Sequence, residues 1–152
     1  MKTVEKSVLI WYSPAEMFAL VTDVPRYPEF LPWCDQARVL ETHANGMTAE
    51  IGISIGGLHQ RFTTRNTHIA DQQVALHLVQ GPFSQLSGEW RFQSLDGHAG
   101  AGAPAQRACR VTLQLQYGFD NAALALLVGP VFDKIAGSLV DAFVKRAEQV
   151  YG

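Results

Sequence analysis

The sequence CRVTLQLQY, residues 109–117, and the later NAALALLVGPVFDKIAGSLVDAFVKRAEQVY, residues 121–151, decide the fold. The first alternates apolar and polar residues, which predicts a strand with one buried face. The second repeats apolar residues at a helical period, which predicts an amphipathic helix of about seven turns. Asn121 is a typical cap for its start, and Gly129-Pro130 is expected to kink it or to split off its first turns. The chain therefore closes with a strand and a long helix that must cover a sheet.

The same alternation of apolar and polar residues extends upstream over residues 34–117. Turn sequences such as 44–46 and 56–57 divide this part into antiparallel strands, because glycine tolerates positive φ. With the alternating residues 3–12, seven strands are predicted. Residues 96–106, rich in Gly and Ala, are expected to form a mobile hairpin loop without chemistry.

Two short segments follow the first predicted strand. Ser13 and Glu16 form the pattern of a capping box, and Pro14 suits the first turn, so a helix is predicted to begin there and to end before Pro25. The segment VPRYPEFLPW, residues 24–33, is too rich in proline for a strand and too apolar for a free loop. We expect it to form a short helix or turn over an opening of the core.

An antiparallel meander followed by one long helix is an α+β layout, in which the helix lies across one face of a curved sheet. A space between such a sheet and helix is typical of sites that bind apolar ligands. The candidate cavity residues are turned toward this space by strand parity or helical period: Phe62, Leu76, Leu78, Trp90, Phe92, Val128, Phe132, Ile135 and Leu139. Core packing explains each of them equally well, and only the set, with the small Gly88 and Ala136, indicates room for a lipophile.

The mouth of this space has its own candidate residues. The candidates for the mouth and its lid are Tyr27, Phe30, Leu31, Pro32, Trp33 and His68. A mobile lid would be the entry for a lipid. His68 is a candidate hydrogen-bond donor to a ligand carbonyl, and an ordinary histidine at the rim is the alternative.

Charge and composition exclude several classes of protein. Lys and Arg number 12 against 14 Asp and Glu, so binding of nucleic acid through bulk positive charge is not expected. Two distant cysteines, Cys34 and Cys109, exclude a disulfide scaffold and fit a reducing compartment. The longest apolar run, 122–132, is shorter than a membrane span requires, and no export signal is visible. A cytoplasmic location is the expectation.

Four arginines, Arg61, Arg65, Arg91 and Arg110, share the outward parity of their strands and form a candidate RNA-contact face. Ordinary solvated arginines are the alternative. The five histidines show no metal-ligand spacing, so no metal site is predicted. The polar interior candidates for a cyclase are Thr64, Asn66 and His68, with no inward carboxylate as general base. No catalytic residue and no enzymatic activity are therefore predicted.

A family resemblance rests on the helix start SPAE (13–16), the segment DVPRYPEFLPWC (23–34), GPF (81–83) and VDAF (140–143). By these segments the chain resembles the coenzyme Q-binding START-like family, which includes ribosome-association toxins and proteins once labelled oligoketide cyclases. The resemblance implies a helix-grip (START/Bet v 1-like) fold, with a curved seven-stranded antiparallel sheet wrapped around a long C-terminal helix and two short helices after strand one. It covers nearly the whole chain, which we expect to be a single domain of residues 1–152.

Three functions are implied by this resemblance. The leading hypothesis is non-enzymatic binding of ubiquinone or a related lipid as a quinone chaperone in respiration, with no required cofactor and with transient membrane contact for lipid exchange. The second is a toxin that binds the large ribosomal subunit and blocks subunit association. The third is a polyketide cyclase.

Overall fold

Seven antiparallel strands form one sheet, in which only the first strand pairs out of chain order. The computed structural model describes residues 1–95 and 108–152, so the loop predicted at 96–106 lies outside the described residues. The strands are β1 (Lys2–Ile10), β2 (Cys34–His43), β3 (Gly46–Ile55), β4 (Leu58–Ile69), β5 (Gln73–Gln80), β6 (Phe83–Ser94) and β7 (Cys109–Phe119). The helices are α1 (Pro14–Thr22), a 3₁₀ helix (Val24–Glu29) and α2 (Ala122–Tyr151).

The sheet has the order β1-β7-β6-β5-β4-β3-β2, and every pair of neighbours is antiparallel. Six of the strands are linked as consecutive hairpins, and β1 reaches β7 because the helical segments separate it from β2. Gly56 and Gly57 turn the chain between β3 and β4 with φ values of 55° and 84°, which glycine adopts without strain. The predicted helix-grip fold is confirmed.

The two short helical segments begin where the sequence indicates. Ser13 Oγ accepts from the Glu16 amide at 3.1 Å, and Glu16 Oε1 accepts from the Ser13 amide at 2.9 Å, which completes the predicted capping box. Helix α1 ends at Thr22, before Pro25, and the 3₁₀ helix follows at once. Together they fill the chain between β1 and β2.

Helix α2 is continuous over 30 residues, about eight turns. The Asn121 side chain accepts from the Leu124 amide at 2.9 Å and caps its start. Of the two alternatives predicted at Gly129-Pro130, a kink or a split, the split is wrong, because the helix is uninterrupted. Those turns are largely exposed, so water can satisfy the carbonyl that Pro130 leaves without a donor. By length and composition alone α2 could cross a bilayer, but here its apolar stripe packs on the sheet.

Aromatic side chains join α2 to the concave face of the sheet. The Phe132 ring lies 4.6 Å from Tyr117 on β7 and 4.9 Å from Phe83 on β6, measured between ring centroids. Toward the other end, Phe143 lies 5.1 Å from Trp90. Edge-to-face contacts of this kind add to the large apolar area that aromatic rings bury. The helix is therefore held by the aromatic contacts of two of its residues, Phe132 and Phe143, one near each end of the gap.

A polar network ties α2 to the edge of the sheet. The Tyr117 hydroxyl donates to Asp133 Oδ1, and the Lys2 ammonium donates to Asp133 Oδ2. Burial alone would raise the pKa of Asp133, but the hydrogen bonds from Lys2 and Tyr117 outweigh it, and the pKa lies below its usual value. The ionised carboxylate therefore stabilises the folded state.

Replacing Asp133 by Asn tests this network. Because the pKa of Asp133 is lowered by folding, its contribution is present above the ordinary aspartate pKa, about 3.9, and disappears as the pH falls through the folded-state value. We expect D133N to lower the free energy of unfolding at pH 7 by about 1 kcal/mol, and the difference from the parent protein to shrink toward zero as the pH falls below the ordinary aspartate pKa and through the folded-state value. Urea denaturation across this pH range measures it. The exposed Asp141, on the same helix, is the control, and an equal loss in D141N would contradict the assignment.

Candidate functional site

A cavity of about 90 Å³ lies between the sheet and α2, beneath residues 24–33. We call residues 24–33, the 3₁₀ helix and the four residues that follow it, the lid. Strands β3 to β7 contribute one wall, α2 contributes a second, and the lid contributes the third. The volume exceeds what a single water needs, but it is well below the ~300 Å³ at which pockets for drug-sized ligands begin. Any larger ligand must displace the lid.

Five of the nine predicted cavity residues line this space. They are Phe62, Leu76, Phe132, Ile135 and Leu139. Trp90 and Phe92 stack on each other nearer α1, where Phe92 also meets Phe18 at 6.1 Å, and they lie outside the cavity together with Leu78 and Val128. Parity places Trp90 and Phe92 on the concave face, but α1 fills that end of the face. The space is therefore confined to the end beneath the lid.

Thr64 and Asn66, which were predicted to be interior polar residues, also line the cavity. Several further lining residues were not among the candidates. They are Val24, Ala49, Ile51, Leu86, Leu115 and Phe143. The alternation of β3 and β7 already turned Ala49, Ile51 and Leu115 inward, so a parity signal existed for them. The expected space at Gly88 is absent, because a Cβ there would lie 2.3 Å from the Gln114 carbonyl oxygen. Because Gly88 has no side chain, the backbone of β7 can approach β6 closely at this point.

The lid residues divide between two surfaces. Tyr27, Leu31 and Trp33 line the cavity, whereas Phe30 and Pro32 line an outer groove between the lid and α2. The Tyr27 hydroxyl donates to the Val21 carbonyl oxygen, and burial raises the Tyr27 pKa, so this group stays protonated.

One arginine of α2 holds the lid from outside. Arg146 Nη2 lies 2.7 Å from Glu29 Oε1, and its guanidinium lies 5.0 Å from the centre of the Phe30 ring. Phe30 in turn packs 5.1 Å from Phe143, which lines the cavity. An ion pair and a cation–π contact at a partly exposed site each contribute roughly 0.5–1 kcal/mol. Arg146 therefore acts as a modest latch on the lid.

Polar atoms in the cavity are few and uncharged. Its lining, as formed by the described residues, includes Thr64, Asn66 and Tyr27 but no carboxylate, imidazole, amine or guanidinium. Thr64 Oγ1 donates to Asn66 Oδ1 at 2.8 Å. Proton abstraction by a side chain needs a group that titrates near neutral pH, and these three residues supply none. The cavity is suited to hold an apolar molecule.

The candidate His68 lies outside the cavity. Its ring meets Phe18 of α1 edge-on at 5.7 Å, and its Nε2 is buried with no hydrogen-bond partner in the part of the chain that the structure describes. Burial lowers the pKa of His68, which favours the neutral ring. His68 lies near the end of β4, beyond the part of the strand that the lid covers, and α1 covers it instead. Among the described residues, no three His, Cys, Asp or Glu side chains are grouped as metal ligands.

The four candidate arginines all lie on the convex face and are exposed. Arg61 and Arg65 are on β4, Arg91 is two strands away on β6, and Arg110 is three strands away on β7. With about 4.8 Å between strands and about 3.3 Å per residue along them, the four follow a diagonal across the sheet. The structure does not bring them into one compact cluster.

The four arginines also differ in the contacts that their side chains make. Arg91 forms an ion pair with Glu89 at 2.9 Å, and Arg110 reaches the Ser7 hydroxyl at 3.5 Å. Within residues 1–95 and 108–152, no carboxylate lies at ion-pair distance from Arg61 or Arg65. Among the described residues, β4 therefore carries two positive charges without an ion pair, and Arg110 on β7 carries a third that contacts only a hydroxyl.

Comparisons with known proteins agree with this geometry. The model of the family described as "Polyketide cyclase / dehydrase and lipid transport" matches residues 10–144. A "Ribosome association toxin RatA" of Pseudomonas aeruginosa is 40% identical over 98% of this chain and 97% of its own length. A "Coenzyme Q-binding protein COQ10 homolog B, mitochondrial" of Xenopus laevis is 26% identical over 97% of this chain and 58% of its own length.

A solved structure with the same fold is the Zhui aromatase/cyclase from Streptomyces sp. R1128. It superposes with a TM-score of 0.82 over 99% of this chain and 96% of its own, at 16% identity. At that identity the likeness concerns the fold alone. The relatives above carry the names of a toxin and of a binding protein, whereas this structural neighbour is an enzyme.

Removing the latch should open the lid. Cys34, directly after the lid, is 5% exposed, and burial raises its pKa to about 11, so its thiol is a reporter of lid opening. We expect R146Q to speed the reaction of Cys34 with a thiol reagent at pH 8 about tenfold, which corresponds to a loss of about 1.4 kcal/mol. The measurement uses a C109A background so that only Cys34 reports.

Two controls separate lid opening from general destabilisation. K145Q removes the same charge from an adjacent exposed residue and should leave the Cys34 rate unchanged. In a C34A background Cys109, which is fully buried, should react equally slowly with and without R146Q. An equal acceleration at Cys109 would mean that R146Q unfolds the protein and that the latch is wrong.

Proposed function

The chain belongs to the polyketide cyclase/dehydrase and lipid transport family, of START-like fold, and we propose that within this family it associates with the ribosome. The observation that carries the proposal is the 40% identity, along nearly the full length of both chains, to a protein named for ribosome association. The large subunit is the proposed partner, and inhibition of subunit joining is the proposed consequence.

The convex face offers a surface suited to this partner. Ribosomal RNA presents a lattice of phosphates, and guanidinium groups bind phosphates through paired hydrogen bonds. Arg61 and Arg65 are exposed on β4 and free of ion pairs among the described residues, so RNA binding need not break an existing contact there. Arg91 would have to give up Glu89 first. We therefore assign the RNA contact to the β4 pair in preference to the whole diagonal.

The double variant R61E/R65E tests this surface. Reversing two unpaired charges should weaken co-sedimentation with isolated large ribosomal subunits by at least about tenfold at moderate salt, and should flatten the salt dependence of binding. The matched control is R38E/R91E, which changes the net charge equally but alters arginines already paired with Glu50 and Glu89. Equal losses in both double variants would show that bulk charge, and not the β4 pair, governs binding.

We propose as a second function that the cavity binds an apolar small molecule, of which ubiquinone or a related lipid is the leading example. The observation that favours it is an apolar space closed by a latched lid, and the name of the more distant relative, a coenzyme Q-binding protein, supports it. A prenylated quinone exceeds about 90 Å³, so its binding requires the lid to move. The two functions use opposite faces of the sheet and are compatible.

Organic extraction of the purified protein, followed by mass spectrometry, tests the second function. Ala49 lines the cavity and is 1% exposed, so A49L fills the space with a larger apolar side chain. We expect a lipophile to co-purify with the parent protein and to be lost in A49L. Ala75, on the convex face, supplies the matched control A75L, which should retain it. A parent protein without bound lipophile, or an A49L variant with the same amount, would contradict this function.

A further inference from the structure

We propose that Asn66 is a polar anchor that selects uncharged lipophiles carrying a hydrogen-bond acceptor, such as a quinone, ketone or ester carbonyl. The inference rests on the second proposed function, binding in the cavity, and goes further by naming the chemistry of the ligand and the side chain that recognises it.

The first observation is a buried amide with unused donors. Asn66 is 7% exposed on the concave face of β4 and lines the cavity. Thr64 Oγ1 donates to its Oδ1, which fixes the orientation of the amide. In the described residues its amide nitrogen donates to no protein acceptor. An amide donor at the cavity wall with no protein acceptor can bond to a group that enters with a free acceptor, which therefore gains more there than an apolar group.

The second observation is that the two hydroxyl groups of the cavity are already engaged. The Tyr27 hydroxyl donates to the Val21 carbonyl oxygen, and the Thr64 hydroxyl donates to Asn66. The Asn66 amide is therefore the donor that the sheet presents, the Trp33 indole N–H is a further donor on the lid, and in either case the ligand must supply the acceptor. A hydroxyl group can also accept, but its own proton would need an acceptor in a cavity whose remaining lining is apolar.

The third observation concerns charge and shape. No cation lines the cavity within the described residues, so a carboxylate or phosphate would be buried without a counterion. Aromatic side chains from the lid, from β4 and from α2 surround the space, among them Trp33, Phe62 and Phe132. Their faces and edges suit a flat ring. The ligand class that fits is a neutral, ring-bearing molecule with a carbonyl oxygen directed at β4.

Water is the competing occupant, because about 90 Å³ is enough for ordered water on the Asn66 amide. A shape-matched pair of probes separates the two occupants. Duroquinone, tetramethyl-1,4-benzoquinone, has no free ring position for reaction with Cys34, and durene is the same methylated ring without the two oxygens. Their difference in affinity therefore reports the carbonyl groups.

The experiment measures dissociation constants of both probes, and the NMR shifts of the Asn66 side-chain amide, on the full chain. We expect duroquinone to bind the parent protein about tenfold more tightly than durene, and to shift the Asn66 amide protons downfield while durene does not. N66L should bind the two probes equally and retain durene. T64V keeps the Asn66 amide and should keep the preference for duroquinone.

The outcomes distinguish the anchor from the cavity function on which it rests. Equal binding of both probes to the parent protein, an unchanged preference in N66L, or an Asn66 amide that keeps its shift with duroquinone bound would overturn the anchor and leave lipophile binding intact. Failure of both probes to bind the parent protein would overturn the cavity function and the anchor together. The amide shift is read on the parent protein, so the test does not depend on how well N66L folds.

Discussion

A single helix has to cover the concave face of a seven-stranded sheet, and this mismatch in width governs the rest of the molecule. Seven strands span roughly 29 Å, whereas a helix with its side chains is about 10–12 Å across. Curvature of the sheet brings its edges toward α2 but leaves the ends of the face uncovered. Helix α1 fills one end with Met17 and Phe18, and the lid covers the other. The cavity is the space that remains beneath the lid.

Strand β4 connects the two proposed functions, because successive residues of a strand face opposite sides of a sheet. Phe62, Thr64 and Asn66 point into the cavity, whereas Arg61 and Arg65 point to solvent. A ligand that displaced β4 would therefore also displace Arg61 and Arg65 relative to the arginines of β6 and β7. If both proposed functions hold, the backbone of this strand is the element that they share.

Much of this arrangement could be predicted from the sequence, because parity and helical period depend only on neighbouring residues. They placed Phe62, Leu76 and Phe132 on the face that forms the cavity, and composition, rich in proline and apolar residues, placed the segment 24–33 over its mouth. They could not say how far the cavity extends along the sheet, which depends on where α1 packs, and so Trp90 and Phe92 were assigned to it as well. The contact between Arg146 and Phe30 joins residues far apart in sequence, and no local pattern indicates it.

The empty space beneath the lid also affects how the molecule responds to compression. The folded chain with an unfilled space occupies more volume than the same chain with water in that space, so hydrostatic pressure favours the hydrated form. On one side of this space Phe132 is held by the rings of Tyr117 and Phe83, whereas the lid on the other side is held by an ion pair and one ring contact of Arg146. We therefore expect compression to act first at the lid and to populate the open form before the sheet loses its packing.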